Sequence, residues 1–198
     1  MTSLVVAALH EEVAHVRPGD GVEVLVTGVG KAVAAAGLAK RLADGPHVDV
    51  VVNVGTAGSV DGVLTGLVEI DYVTQHDLPY AAIDELTSDD VVRGYELRPG
   101  QPPLSVPCPG TDAHALATGD VFVADAEHAR RIAETGVHVV DMEGFAFAAT
   151  CAVFGVPMRC IKIVSDFADQ DAGDSWLDTI DGCARELGEW VDCHIRGR

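Results

Sequence analysis

The chain has 198 residues, 48% of them hydrophobic and 22% charged, which is apolar material enough for one compact domain with a substantial core. Acidic residues number 31 against 13 basic, a formal net charge of -18 that repels phosphate backbones and anionic lipid and so excludes nucleic-acid and membrane-surface partners from the expected set. Five cysteines form no CxxC pair and three lie in apolar runs, which predicts reduced, buried thiols rather than disulfides or a zinc centre.

Residues 3–9 (SLVVAAL) are an uninterrupted apolar run and predict a buried strand. The run is too short for a signal peptide and meets His10-Glu11-Glu12 at once; no later run would span a membrane, so a cytoplasmic protein is expected. Residues 22–27 (VEVLVT) predict a second strand, closed by Gly28-Val29-Gly30-Lys31, and alanine-rich 31–43 a helix stopped at Gly45-Pro46. Residues 48–54 predict a third strand, running into a turn at Asn53-Val54-Gly55-Thr56-Ala57-Gly58, and residues 67–74 (LVEIDYVT) a fourth. Residues 76–118 hold six of the nine prolines and little periodicity, so they read as a long, partly extended excursion rather than a second domain. Order resumes over 120–124, with a helix over 125–134 and a strand over 137–140.

The chain is organised around residues 139–169. There an apolar strand leads into a helix with Met142 and Glu143 in its first turn; Gly155-Val156-Pro157 stops it, and a second strand, 158–164, ends at Ser165-Asp166. One carboxylate at a helix start and another at a strand end fall at one rim of a parallel sheet, where open α/β sheets bind ligands. A last helix, from Ser175 to about Cys193 with Asp174 or Ser175 as its cap, shows a helical apolar spacing. Strands alternating with helices predict an α/β fold: residues 1–198 as a single domain with a mixed, largely parallel central sheet flanked by helices.

Five motifs in order, Ala7-Ala8-Leu9-His10-Glu11-Glu12-Val13, Gly28-Val29-Gly30-Lys31, Asn53-Val54-Gly55-Thr56-Ala57-Gly58, Gly119-Asp120-Val121-Phe122-Val123, and Asp141-Met142-Glu143-Gly144 with Ser165-Asp166-Phe167-Ala168-Asp169, resemble the nucleoside phosphorylase superfamily. Within it the similarity is closest to the 5'-methylthioadenosine/S-adenosylhomocysteine nucleosidases. The resemblance implies a homodimer that cleaves the N-ribosidic bond of a purine nucleoside without metal or organic cofactor. It makes Glu12 the carboxylate that activates water and Asp166 the acid at purine N7, with Ser165 beside it. Met142 and Glu143 would bind ribose, Phe122 would stack on the base, the Val123 backbone would read its edge, and Trp176 would be a lid over the 5' group. Thr56, Ala57 and Gly58 would line the substrate site, and Lys162 stands where an arginine is common near the attacking water.

Cleaving a ribosyl C–N bond develops positive charge on the sugar and negative charge on the base, so carboxylates near the sugar and an acid at the base suit the reaction. Asn53 in place of an arginine, and Glu12 where phosphorylases carry a glycine-rich phosphate loop, favour water over phosphate as the acceptor. A futalosine-type hydrolase and a phosphorylase are the alternatives within the class; a catalytically weak nucleoside-binding protein is the alternative outside it. Taken singly, each residue has a plainer reading. Glu12 and Glu143 could be first-turn helix carboxylates and Asp166 a turn residue, Phe122, Met142 and Trp176 core residues, and Gly28, Gly30, Gly55 and Gly58 tight turns.

Overall fold

In the computed structural model, residues 1–86 and 114–197 are described in full, and 94–98 and 101–104 as strand backbone. Among the described residues ten strands form one sheet. Strand β1 (Ser3–Ala7) lies between β2 (Val22–Val26) and β3 (Val50–Ser59), parallel to both. Along its other edge β3 runs parallel with β10 (Met158–Asp166), which pairs antiparallel with β4 (Leu67–Ile70). The last residues of β3, Gly58 and Ser59, pair antiparallel with β9 (Val139–Asp141). From β9 the sheet continues through β8 (Ala115–Thr118), β5 (Tyr72–Gln75), β6 (Gly94–Arg98) and β7 (Gln101–Leu104). The all-apolar runs in β1 and β3 are therefore covered on both faces, as their lack of alternation requires.

On one face lie α1 (Lys31–Asp44) and α4 (Gly144–Phe154), closing a core of Leu4, Val6, Leu38, Val51, Phe147 and Met158. On the other, α5 (Ala172–His194) packs Leu187, Trp190 and Val191 onto Val5, Val52, Val54 and Ile161. Each large side chain so buried contributes roughly 1.5–3 kcal/mol, which offsets the cost of the charges buried at the site below. Short helix α2 (Tyr80–Asp84) follows β5. Helix α3 (Ala126–Ala133) is capped by Asp125, whose carboxylate accepts the His128 N–H at 2.8 Å. Among the described residues no helix is long and apolar enough to cross a membrane. Cys151, Cys160 and Cys183 are buried free thiols and Cys193 an exposed one; burial pushes the Cys151 and Cys160 thiols up to about 12. Cys108 lies outside the described residues.

Several expectations are corrected. Residues 53–58 are strand, not turn: β3 runs on to Ser59 because neighbouring side chains occupy the space its glycines leave open. The run 67–74 is two strands broken at Asp71, whose N–H and carboxylate both bond the backbone of His114. The break turns the chain from β10 to the far half of the sheet. The reading of 76–118 as an excursion fails at Ala115–Thr118, an interior strand between β5 and β9; residues 87–93, 99–100 and 105–113 lie outside the description. Residues 120–124 form no regular element. Met142 and Glu143 precede α4, with Glu143 at the N-cap, and α5 starts at Ala172 after Asp171.

Candidate active site

A cavity of about 310 Å³ opens at the C-terminal ends of β1, β3 and β10. Eleven of the twelve residues singled out from sequence line it: Glu12, Thr56, Ala57, Gly58, Phe122, Val123, Met142, Glu143, Ser165, Asp166 and Trp176. Lys162 does not; it lies beneath the floor.

Glu12 belongs to a single 3-10 turn, Glu11–Val13, separated from the end of β1 by three residues, and is 6% exposed. One carboxylate oxygen accepts the Ala8 and Leu9 N–H groups at 3.1 Å each, and the other accepts the Thr56 N–H at 2.8 Å and its hydroxyl at 3.1 Å. Four donors hold the carboxylate in one orientation as a hydrogen-bond acceptor, unlike a solvated helix-end charge. The Trp176 indole N–H donates to the Thr56 hydroxyl oxygen at 3.0 Å, which orients that hydroxyl's proton toward Glu12. A Cβ at residue 55 would lie 2.8 Å from the Glu12 oxygen, so glycine here makes room for a side chain; it does not mark a turn.

Asp166 is placed by a β-bulge. Val164 pairs with Ala57 and Asp166 with Gly58, so Ser165 is an extra residue on β10, a device that re-aims side chains beside active sites. One Asp166 oxygen accepts the Ser165 hydroxyl at 2.8 Å and the other the Ala168 N–H at 2.9 Å. Ala168 has φ 51°, a left-handed conformation costly for a residue with a Cβ. It points its amide back at Asp166. A Cβ at residue 58 would meet the Asp166 oxygen at 2.8 Å.

Glu143, buried at the N-cap of α4, accepts the Gly30 N–H at 2.7 Å. Burial and the nearby Asp141 charge push its carboxyl up to about 8, against the opposing pull of the Gly30 bond and Lys162. Beneath it Asp141 is fully engaged, accepting the Thr118 hydroxyl at 2.6 Å, the Gly144 N–H at 2.9 Å and the Lys162 ammonium at 2.8 Å. Lys162 is 2% exposed. Burial works against its charge, but the Asp141 carboxylate outweighs it and raises the ammonium above its ordinary value. Removing one partner of such a pair costs about 3–5 kcal/mol. The charge of Lys162 thus acts within the protein, beside Glu12 and Asp141.

The wall formed by Phe122, Val123 and Met142 is apolar. Phe122 is 49% exposed at the mouth, Val123 is buried, and Met142 is partly buried beside them. Asn53 does not line the cavity: it is buried, donates to the Val6 carbonyl at 3.2 Å and accepts from the Cys160 thiol. Its identity therefore bears on strand packing, and the part of the anion argument that stands at the cavity is Glu12. Sequence reasoning missed Ala8, Leu9, Val29 and Gly173 as lining residues, small or apolar groups with no chemical signature of their own. It also missed Asp141, which the motif Asp141-Met142-Glu143 offered. No Lys, Arg or His is among the residues lining the cavity.

A model of the phosphorylase superfamily matches residues 110–190. The 5'-methylthioadenosine/S-adenosylhomocysteine nucleosidase of Actinobacillus succinogenes is 32% identical over 197 residues, covering 87% of this chain and 80% of that protein. The enzyme of the same name from Exiguobacterium sp. is 33% identical over 186 residues, covering 80% and 74%. Among solved structures, a mutant Helicobacter pylori protein named MTAN, with 5'-methylthioadenosine in the active site, shares the fold at a TM-score of 0.82 and 21% identity, covering 100% of this chain and 99% of that one. A futalosine hydrolase mutant from Helicobacter pylori does so at a TM-score of 0.81 and 20% identity, with both chains covered in full.

Proposed function

The chain belongs to the phosphorylase superfamily, on the branch of the 5'-methylthioadenosine/S-adenosylhomocysteine nucleosidases, and is an N-glycosyl hydrolase of purine nucleosides; from that premise we propose that it hydrolyses an adenine-type nucleoside with a 5' substituent, Glu12 orienting water and Asp166 serving purine N7. The observation that carries this reading is that two carboxylates, each fixed by backbone N–H groups and each given room by a strand glycine, line one cavity. Glu12 takes a proton from water as it approaches the anomeric carbon. The C–N bond lengthens, cationic character develops on the ribose near Glu12 and Glu143, and the departing base gains electron density that a proton or hydrogen bond from Asp166 relieves. Met142 and Glu143 bind the ribose, Glu143 through its hydroxyls. Phe122 covers the base, and Trp176 sets Thr56 against Glu12 while walling the 5' side. Lys162 supports Glu12 and Asp141 from below without touching substrate.

The lack of a basic side chain among the residues lining the cavity supports a preference for a neutral 5' group such as a methylthioether over one that carries a carboxylate, as in S-adenosylhomocysteine. A futalosine-type hydrolase is the second reading, favoured by the fold shared with that enzyme. Residues 1–198 acting as one domain, a homodimer and a cytoplasmic location complete the proposal. The half-exposed apolar side chains of Val29, Val121 and Phe122 at the mouth support the dimer, and the free thiols support the location.

The test is base release, followed by liquid chromatography, from methylthioadenosine, S-adenosylhomocysteine, adenosine, inosine and futalosine, with and without phosphate. Phosphate-independent adenine release is expected, faster from methylthioadenosine than from S-adenosylhomocysteine, with Asp166→Asn lowering kcat by about 10²- to 10⁴-fold. Release that requires phosphate, or an unimpaired Asp166→Asn, overturns the assignment.

A further inference from the structure

Two segments that line the cavity, at Val29 and at Val121–Val123, are laced to each other and to residues 75–77 by side chains outside the chemistry described above. Lys31 opens α1, one residue after the Gly30 N–H that holds Glu143. Its ammonium donates to Asp77 at 2.6 Å and to Gln75 at 3.0 Å, and lies 3.9 Å from the Asp120 carboxylate. Its backbone N–H donates to the other Asp120 oxygen at 2.8 Å, and the Asp120 N–H donates to Asp77 at 2.8 Å. Asp120 lies two residues before Phe122. On the far side of the same turn the His76 ring packs against Gly119, where a Cβ would come within 2.3 Å of it. Burial lowers the His76 pKa, so the ring packs there uncharged.

Lys31 is an odd choice for its place in the helix. A cation in the first turn opposes the helix dipole, and a surface pair gives little stability in return. Lys40, Arg130 and Arg185 pair within their own helices. Lys31 instead joins groups 44, 46 and 89 residues away in sequence, with its side chain only 20% exposed.

We propose that Lys31 is a positioning residue: through Asp77 and Asp120 it ties the loop bearing Phe122 to the loop whose Gly30 N–H grips Glu143, fixing the spacing between base wall and ribose carboxylate. The network touches neither Glu12 nor Asp166, whose partners come from residues 8, 9, 56, 165 and 168. Its loss weakens substrate binding more than it slows the chemical step.

The proposal rests on Glu143 and Phe122 being substrate contacts, so the experiment carries its own control. Steady-state kinetics on methylthioadenosine compare Lys31→Met, Lys31→Arg, Asp77→Asn, the Lys31→Met/Asp77→Asn double variant, and Glu143→Gln. Lys31→Met is expected to raise KM about tenfold with kcat held within about threefold. Its thermal midpoint should stay within about 3 °C of the parent, Lys31→Arg should recover most of the KM, and the double variant should be no worse than the worse single one. An unchanged KM in Lys31→Met beside a raised KM in Glu143→Gln overturns the tie alone. A KM rise that tracks a falling thermal midpoint and is not rescued by arginine overturns it too. An unchanged KM in Glu143→Gln removes the site reading and the tie with it.

Discussion

Glu143 carries a proton-linked cost that can be read in solution. Its folded pKa of about 8 lies above the ordinary 4.5, so the folded chain binds the proton more tightly than the unfolded one. The stability this contributes is full below about pH 4.5 and is lost as pH rises through about 8. His76 acts in the opposite sense: its pKa is lowered from 6.5, so its contribution is complete above that value and lost only as pH falls. Between about pH 6.5 and 8, then, urea unfolding of the ligand-free protein should show stability declining with pH. Glu143→Gln should flatten the slope, and a parent already flat there would contradict the shift. At this scale the sequence singled out Glu12, Glu143 and Asp166 as carboxylates at strand and helix ends, and the fold brings all three to one cavity. It was silent on the pairing of Lys162 with Asp141, since a buried ammonium is legible only once β10 is laid beside β9's neighbours. It was silent too on Ala168, whose left-handed backbone leaves no mark in the residue type.

Among the elements, β3 decides the site. Glycine ordinarily weakens a strand, which is why residues 53–58 read as a turn. In the fold, Gly55 and Gly58 are the places where the strand lets Glu12 and Asp166 lie against its backbone. Gly58→Ala should therefore leave the strand intact, since alanine is at least as good a strand residue as glycine, while its Cβ displaces the carboxylate now 2.8 Å away. A misplacement of that kind costs on the order of 10²-fold in kcat. Steady-state rates beside a urea melt test this: normal turnover in a folded Gly58→Ala would show that Asp166 need not hold its position. The bulge at Ser165 could not be read from sequence, because it exists only in the register between β10 and β3.

For the molecule as a whole, the alternation of strands and helices made the α/β class legible. The prolines of 76–118 hid strands β6 and β7 as well as Ala115–Thr118, each of four or five residues and too short to show a period. The proposed dimer is tested at this scale: analytical ultracentrifugation should give twice the mass of one chain at micromolar concentration, and a single-chain mass there would refute it. The position of β3 also bears on how the protein is made. Its two long-edge neighbours are β1, already synthesised, and β10, which follows about a hundred residues later. At roughly 5–20 residues per second, a nascent chain holds the apolar run Val50-Val51-Val52 with one edge bare for about 5–20 s before its partner leaves the ribosome. That interval is when a holding chaperone would matter most to the yield of this protein. On the proposed role of Asp166, which lies at the end of that late strand, turnover would begin only after the sheet closes.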